Sequence, residues 1–330
     1  QPDLGSILHS RHQFHWHTGY VPPQTVACPH IGAWMARVLG PRNPVMPAFI
    51  NIGQRLEGVG ESEELKSFTT AGFFGGEYGP MNLPFPEEAA AAVRPPKGMD
   101  AGRFVNRDRE FRRLVDATPS RDLLSDHQHE SMLRSMDNAY RLLSAKERSA
   151  FDITLETPEV QKDYDTGRFG RGCLLARRLV ERGTRVVQVW TGAGQPWDSH
   201  DDLEANHRRL AKDCDQAIAA LLVDLKRRGL LEDTLVLWGG EFGRTPTVEL
   251  PTPGSNLGRL NGRDHNPYGF SMWLAGGGVR AGTAVGATDE FGYKAVENPV
   301  HIHDLHATML HLLGIDHKRL TYRYSGRDMR

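Results

Sequence analysis

The 330-residue chain has few cysteines, no long apolar run and almost no net charge. Its three cysteines, Cys28, Cys173 and Cys214, are widely separated, and so sparse and odd a set is not a disulfide framework. We expect Cys173 and Cys214 to be buried thiols at apolar positions of helices. No apolar run reaches about 18 residues, which argues against a membrane-spanning helix. The formal net charge of −1 argues against nucleic acid as a partner, which would need clustered Lys and Arg.

The sequence also lacks a recognisable secretion signal and an initiating Met, since it begins at Gln1. Such a signal would show a basic segment, an apolar segment and a cleavage site of small residues. We therefore expect a processed or partial product, and the cellular compartment has no direct signal in this sequence.

Apolar patterns in the second half of the chain predict alternating helices and strands. Residues 171–182 form an amphipathic helix that stops at Gly183, and residues 202–228 form a longer one. This alternation indicates parallel strands joined by crossover helices, and nearly continuous apolar strands fit a sheet covered on both faces. The expected strands are 184–190, 234–240 and 270–277, and a closing helix is expected at 303–314.

The first half of the chain has weaker patterns. Residues 46–52 are typical of a short buried strand, whereas residues 53–100 are rich in Gly, Pro and Glu and suggest an extended surface excursion. Residues 102–149 are charged and mostly helical in pattern, which predicts an insertion over one face of the sheet. We expect a single domain over residues 1–330, incomplete at its N-terminus, with 53–150 as an excursion and insertion within it.

Polar side chains follow the predicted strands at the points where the strands end or begin. In open α/β sheets, ligands bind beyond the carboxyl ends of the strands. Carboxylates mixed with imidazoles suit Zn²⁺, Mn²⁺ or Fe, while carboxylates alone would suggest Mg²⁺ or Ca²⁺. The candidate metal ligands are Asp198, His200, Glu241, Asp264 and His265.

Structural roles are the alternative for each of these residues. The two histidines could be hydrogen-bonded loop residues, and Asp198 could cap a turn. Glu241 could form a salt bridge with Arg244, while Arg244 could instead clamp an oxyanion through two parallel hydrogen bonds.

Fifteen histidines are concentrated in a few stretches. His9, His12, His15 and His17 are spaced by two and three residues, which does not place all four on one helix face. A helical pair of His9 and His12 could still point into the site. The histidines of the closing helix, His303, His306 and His311, are expected to be structural or exposed.

Several segments resemble a bacterial family known as domain of unknown function 1501. They are FGRGCLLARRLVERGTRVVQVW, WDSHDDL, GGEFGRTP, GRDHNPYGFSMWLAGGGV and HIHDLHATMLHLLGID. Their order is similar to that in the superfamily of alkaline phosphatases, sulfatases and phosphoglycerate mutases. The resemblance implies an alkaline phosphatase-like α/β fold, in which helices cover both faces of a mostly parallel sheet. It also implies a divalent metal (Zn, Mn, Fe or Ca) and an extracytoplasmic location, periplasmic or exported.

The sequence departs from the superfamily pattern at three places. Phe242 stands where a metal-binding His belongs, and Glu241 replaces the preceding Asp. The first strand, which ends in a ligand Asp, would lie before Gln1. Aligning Thr18–Gly19 with the Thr-Gly of the sulfatase nucleophile segment places His9 at the nucleophile position.

We therefore expect a metal-dependent hydrolase of a phosphate or sulfate ester, or a degenerate relative of one. Glu241 would be a metal ligand or general base, Arg244 would hold the anion, and His9 at the nucleophile position would favour direct attack by water. The alternative is a non-catalytic binding or assembly protein that keeps the fold. A small anionic ester is the expected partner for the enzyme, and both homo- and hetero-oligomers stay open.

Overall fold

The protein is a mixed α/β molecule organised around a three-stranded parallel sheet. The structure is a computed structural model, and it describes residues 4, 8–22, 25–54, 70–117, 125–165, 167–192, 194–253, 255 and 257–330. The sheet has the order β2–β1–β3, with β1 at Phe49–Ile52, β2 at Met81–Leu83 and β3 at Val186–Val189. Strand β1 is buried along its whole length, and it lies within the predicted strand at 46–52.

Helix α7, Arg168–Glu181, packs on one face of this sheet. Its Leu175 and Leu179 are buried in one apolar cluster with Ile50 and Ile52 of β1. A Cβ atom at Gly172 would lie 3.0 Å from Val189 Cγ1, so glycine allows the helix to approach the sheet closely. The helix predicted at 171–182 is confirmed, and its apolar face is the one that packs.

A second apolar cluster includes α2, Ile31–Leu39, and α9, Ile302–Leu312. Trp34 of α2 and Leu310 of α9 are buried there together with Phe73 and Phe74. The expectation that residues 53–100 form a surface excursion is therefore wrong for the part around Phe73. Aromatic burial and the pairing of β2 with β1 draw this Gly- and Pro-rich segment into the core. Residues 55–69 of the predicted excursion lie outside the described residues.

The segment 102–149, expected to be mostly helical, contains a pair of helices. Helix α4 spans Ala101–Ala117 and is largely exposed, and helix α5 spans Asp126–Ser144. Ser125 and Gln128 form a capping box at the start of α5, which satisfies otherwise unpaired backbone N–H groups. The short helices α3, Ala89–Ala92, and α6, Pro158–Asp163, flank this region.

The chain after β3 continues into the long helix α8, Leu203–Arg227, which confirms the helix predicted at 202–228. Strand β4, Val236–Trp238, then pairs with β7, Trp273–Ala275, in an antiparallel ladder. The expectation that these strands are parallel is therefore wrong. A parallel pair needs a crossover connection, usually a helix. The described residues between β4 and β7 contain only a short strand pair, β5 at Gly243–Arg244 and β6 at His265–Asn266.

The remaining strands form short antiparallel pairs. In β5–β6, Arg244 lies opposite His265. The bounds are β5 Gly243–Arg244, β6 His265–Asn266, β8 Ala287–Thr288, β9 Ala295–Glu297, β10 Tyr322–Tyr324 and β11 Arg327–Met329.

The structure bears on two expectations drawn from composition, which concern the cysteines and membrane-spanning helices. Cys173 and Cys214 are buried free thiols, as expected, and Cys28 is a third. Among the helices that the structure describes, none combines the length and apolar character needed to cross a membrane.

Candidate metal centre

Distant segments of the chain bring polar side chains together around one carboxylate, that of Asp198. Helix α1, His9–Thr18, contributes His9 at its first position. The loop that follows β3 contributes Asp198 and His200, and the β5–β6 pair contributes Arg244 and His265. These side chains are between 8% and 19% exposed, so the site is nearly buried.

Three imidazoles direct their Nε2 atoms at the Asp198 carboxylate. His9 Nε2 lies 3.2 Å from Oδ2, while His200 Nε2 and His265 Nε2 lie 2.9 and 3.2 Å from Oδ1. Arg244 also donates a hydrogen bond to Oδ1. Of the predicted site residues, His200, His265, Arg244 and His9 therefore meet at Asp198 in the structure.

Two of these imidazoles have a carboxylate at their outer nitrogen. Glu241 Oε1 is 2.6 Å from His9 Nδ1, and Glu249 Oε2 is 2.6 Å from His200 Nδ1. Each Nδ1–H can be donated to its carboxylate, which leaves Nε2 as the nitrogen that faces Asp198. Carboxylate–imidazole pairs of this kind orient the histidines of metal sites and raise their basicity.

The third imidazole, His265, is placed differently. Its Nδ1 atom is buried without a hydrogen-bond partner and lies 3.4 Å from Asp264 Oδ1. That Asp264 oxygen accepts a hydrogen bond from the backbone N–H of His265 at 2.7 Å, which fixes the carboxylate beside the ring. Asp264 thus neighbours the outer side of His265 and does not contact Asp198 directly in the described geometry.

The protonation equilibria of the centre reflect close contact between opposite charges. Burial raises the pKa of Asp198, but hydrogen bonds from His265 and His9 and the charge of Arg244 outweigh it and hold that pKa far below its usual range. Burial likewise opposes ionisation of Glu241, and the hydrogen bond and charge of His9 lower its pKa. Burial lowers the pKa of His9, yet its bonds to Asp198 and Glu241 raise it to about 9. Both carboxylates are therefore ionised at neutral pH.

The donor set fits a transition-metal ion. His9 Nε2 and His265 Nε2 are only 2.8 Å apart, and both are close to the Asp198 oxygens. Two ring nitrogens and a carboxylate are ligand types that a transition-metal ion binds, and binding would displace the proton that the raised pKa of His9 places on its ring. A second group that could hold an ion consists of His200, Glu249 and Asp264. The predicted ligands therefore fall into two adjacent sets, with Asp198 and His265 in one and His200 and Asp264 in the other, while Glu241 belongs to neither.

Helix α1 is held against the centre by further contacts. Gln13 Nε2 donates to Glu241 Oε1 at 3.3 Å, and Trp16 Nε1 donates to the carbonyl oxygen of Gly240 at 2.8 Å. The C-terminal end of α1 is held by α9, since His306 contacts the carbonyl oxygen of Trp16 and His303 contacts that of Gly19, the residue that follows the helix. These two histidines serve the structural role that the sequence predicted for them.

Phe242 occupies space among the imidazoles. Its ring centroid is 4.7 Å from that of His9, 5.0 Å from that of His12 and 4.8 Å from that of His265. The phenyl ring supplies no ligand atom, so it forms an apolar wall on this side of the centre. His12 itself is fully buried against this wall.

One residue of the centre, Glu249, was missed by sequence reasoning. It lies in the Gly- and Pro-rich connection between β5 and β6, where no motif or helical spacing marks it. The one indirect signal is His200 in the loop after β3, because a buried His at a strand end needs a hydrogen-bond partner for its second ring nitrogen.

Comparison with known proteins places the chain in a family. None of the curated proteins and none of the solved structures matches it. A family model described as "Protein of unknown function (DUF1501)" matches residues 2–330, nearly the full length given. The chain therefore belongs to the DUF1501 family.

Proposed function

We propose that this protein is a metal-dependent hydrolase that cleaves a phosphate or sulfate ester. The observation that carries this proposal is the meeting of His9 Nε2, His265 Nε2 and the Asp198 carboxylate within 3.2 Å. These residues are far apart in the sequence, and helices and loops with separate packing contacts bring them together. A buried cluster of ligand-type atoms assembled in this way is a candidate functional site.

The proposed fold assignment is alkaline phosphatase-like. It is supported by the parallel β2–β1–β3 sheet, by helices packed against it, and by Asp198 and His200 following the carboxyl end of β3. The extracytoplasmic location belongs to the same proposal, because it is implied by the family resemblance; cell fractionation of a native host would test it.

His9, Asp198 and His265 are residues that would hold the ion, and His200, whose Nε2 lies 2.9 Å from Asp198 Oδ1, would be a further ligand. Imidazole nitrogens mixed with one carboxylate favour Zn²⁺, Mn²⁺ or Fe over Ca²⁺. A divalent ion held there supplies Lewis-acid polarisation of an ester oxygen and acidifies water.

Arg244 is the anion-binding residue of the proposal. Its guanidinium donates to Asp198 and, from Nη1, to the carbonyl oxygen of Arg263 at 3.2 Å. Guanidinium remains charged at all physiological pH values and its planar fork matches phosphate and sulfate oxygens. An incoming ester would bind the same guanidinium as Asp198. This binding would orient the reacting group toward the imidazoles.

Glu241 has an orienting role in this arrangement. Its Oε1 atom accepts from His9 Nδ1, so the carboxylate fixes the ring and its ionised state favours Nε2 as the inward nitrogen. This contact favours an orienting role for Glu241 over the alternatives of ligand or general base. His9, at the position where sulfatases carry their nucleophile, is better suited to bind the ion than to attack the substrate.

The test combines metal analysis with hydrolysis of p-nitrophenyl phosphate and p-nitrophenyl sulfate. We expect the wild-type protein to retain close to one equivalent of a transition metal, and chelation to abolish hydrolysis. His265→Ala should lose both metal and activity, while Arg244→Gln should keep the metal and lose most activity. His127→Ala, at an exposed histidine of α5, is the matched control and should behave as wild type. Wild-type protein that takes up no transition metal would exclude this function.

A non-catalytic metal-binding or assembly protein is the second candidate, and Phe242 is the observation that favours it. The phenyl ring replaces a ligand of the superfamily pattern and packs against His9 and His265. The same experiment separates the two candidates, because stoichiometric metal without hydrolysis of either ester supports the non-catalytic protein.

A further inference from the structure

We infer that Glu249 is a positioning residue that fixes the imidazole of His200 with Nε2 turned toward Asp198. This inference rests on the proposed function, because the oriented imidazole matters only if the centre binds a metal. Glu249 contacts His200, and His200 in turn contacts Asp198.

The contact between the two side chains is short and buried. Glu249 Oε2 lies 2.6 Å from His200 Nδ1, and the side chains are 5% and 11% exposed. A hydrogen bond to an ionised carboxylate is stronger than a neutral one, and low solvent access strengthens it further. Donation of Nδ1–H to Glu249 selects the tautomer in which Nε2 carries a lone pair. Nε2 then lies 2.9 Å from Asp198 Oδ1, and a cation bound by both atoms would separate the lone pair from the ionised carboxylate.

The backbone holds both partners in one frame. Glu249 N donates to the carbonyl oxygen of Gly262 at 3.0 Å, which ties its loop to the strand leading into β6. The same stretch is bonded to the loop that carries His200, because Gly258 N donates to His200 O at 2.9 Å and Arg263 N donates to Ser199 O at 3.1 Å. The carboxylate and the imidazole are therefore aligned by two segments that support each other.

Asp201 provides a matched control for this frame. Its Oδ1 accepts from Leu260 N at 2.6 Å, so it joins the same two segments without touching the His200 ring in the described contacts. Asp201→Asn weakens the frame, whereas Glu249→Gln removes the charge that orients the imidazole. Comparing the two variants separates a general effect on the loops from a specific effect on His200.

The experiment is a Zn²⁺ titration of the full chain against a chromogenic chelator. Loss of a carboxylate partner of a ligating histidine typically weakens metal affinity by about 10–100-fold, and we expect this loss in Glu249→Gln. Asp201→Asn should keep nearly wild-type affinity. In a His200→Ala background, Glu249→Gln should cause no further loss, because its effect passes through the imidazole.

Nitrogen-15 NMR of the histidine rings gives a second measurement that does not depend on any variant folding. We expect the wild-type His200 ring to carry its proton on Nδ1. A ring protonated only on Nε2 would overturn the assignment, and so would wild-type Zn²⁺ affinity in Glu249→Gln or an equal loss with and without His200. If the wild-type protein binds no Zn²⁺, the proposed function itself fails. If the wild-type protein binds Zn²⁺ and Glu249→Gln binds it equally well, only the positioning role of Glu249 fails.

Discussion

Arg177 is a charged side chain with no solvent exposure, and its position shows how this fold accommodates charge. Its three nitrogens lie 2.9 Å from carboxylate oxygens of Glu156, Glu181 and Asp224. These partners come from the segment before α6, from α7 itself and from α8. The buried guanidinium therefore connects three parts of the chain, each of which places a carboxylate beside its positive charge.

Replacing Arg177 with Ala should destabilise the protein strongly, because it removes the fully buried cation between Glu156, Glu181 and Asp224. These carboxylates then keep only their pairs with the more exposed Arg178 and Arg228. Breaking a buried ion pair from one side typically costs about 3–5 kcal/mol. Arg208→Ala is the control, since Arg208 pairs with Glu204 at the same i,i+4 spacing as Arg177 and Glu181 but is 77% exposed. Exposed pairs contribute about 0–1 kcal/mol. Urea unfolding of both variants measures the difference, and equal losses would contradict this role of Arg177.

The residues of the centre differ in how far the sequence could predict them. Asp198, His200 and His265 were predictable because polar residues at strand ends tend to lie together at one edge of an α/β sheet. Glu249 was not, since its contact with His200 depends on the path of an irregular loop. The role of Glu241 also required the structure, because only the 2.6 Å contact with His9 distinguishes an orienting carboxylate from a ligand.

At the scale of secondary-structure elements, α1 and α2 are joined by a pair of buried histidines. His30 caps α2 by accepting from Gly32 N, and its Nε2 lies 2.9 Å from His17 Nδ1 of α1. His17 Nε2 in turn lies 3.5 Å from the side-chain nitrogen of Gln188 on β3. Burial lowers the pKa of His17 to about 3, and burial together with the nearby His17 and His306 holds the pKa of His30 well below its usual value. Both rings are thus neutral in the folded protein.

This pair predicts that the protein loses stability as the pH falls below about 6.5. The unfolded chain takes up protons at its histidines near pH 6.5, whereas folded His17 and His30 do not until much lower pH. Their contribution is therefore complete above pH 6.5 and declines toward pH 3. Between pH 7 and pH 5 each ring should account for a loss of about 2 kcal/mol.

His30→Asn tests this prediction, because Asn preserves an N-cap acceptor and removes the titrating ring. The free energy of unfolding should fall less between pH 7 and pH 5 in this variant than in the wild type. The titration of the metal centre is common to both proteins and cancels in the comparison. An identical pH-dependent fall in both proteins would show that His30 is not responsible.

The elements themselves were predicted unevenly, for a physical reason. Helices α7 and α8 have long amphipathic patterns, so the sequence located them within a few residues. The antiparallel pairing of β4 with β7 was not predictable from those patterns, because an apolar strand has the same composition in either direction. The burial of Phe73 was missed for a similar reason, since Gly and Pro around it are typical of surface loops.

At the scale of the whole molecule, the candidate metal centre joins parts of the chain that are otherwise held by separate apolar clusters. His9 belongs to α1, which packs on α9 through Trp16. Asp198 follows β3 of the parallel sheet, and His265 belongs to the β5–β6 pair. An ion held by all three would therefore link the parallel sheet, the N-terminal helix and the C-terminal strand pairs.

This linkage predicts that added Zn²⁺ raises the melting temperature of the metal-free protein. An ion that binds the folded state alone stabilises it by about 2.7 kcal/mol at 100 times its dissociation constant. Because the ligands are far apart in the sequence, the unfolded chain cannot present them together. Differential scanning calorimetry with increasing Zn²⁺ measures the shift, and His265→Ala, which lacks one of the proposed ligands, should show a much smaller one. Equal shifts in the two proteins would mean that Zn²⁺ binds elsewhere, and stoichiometric binding without any shift would mean that the centre does not hold the segments together.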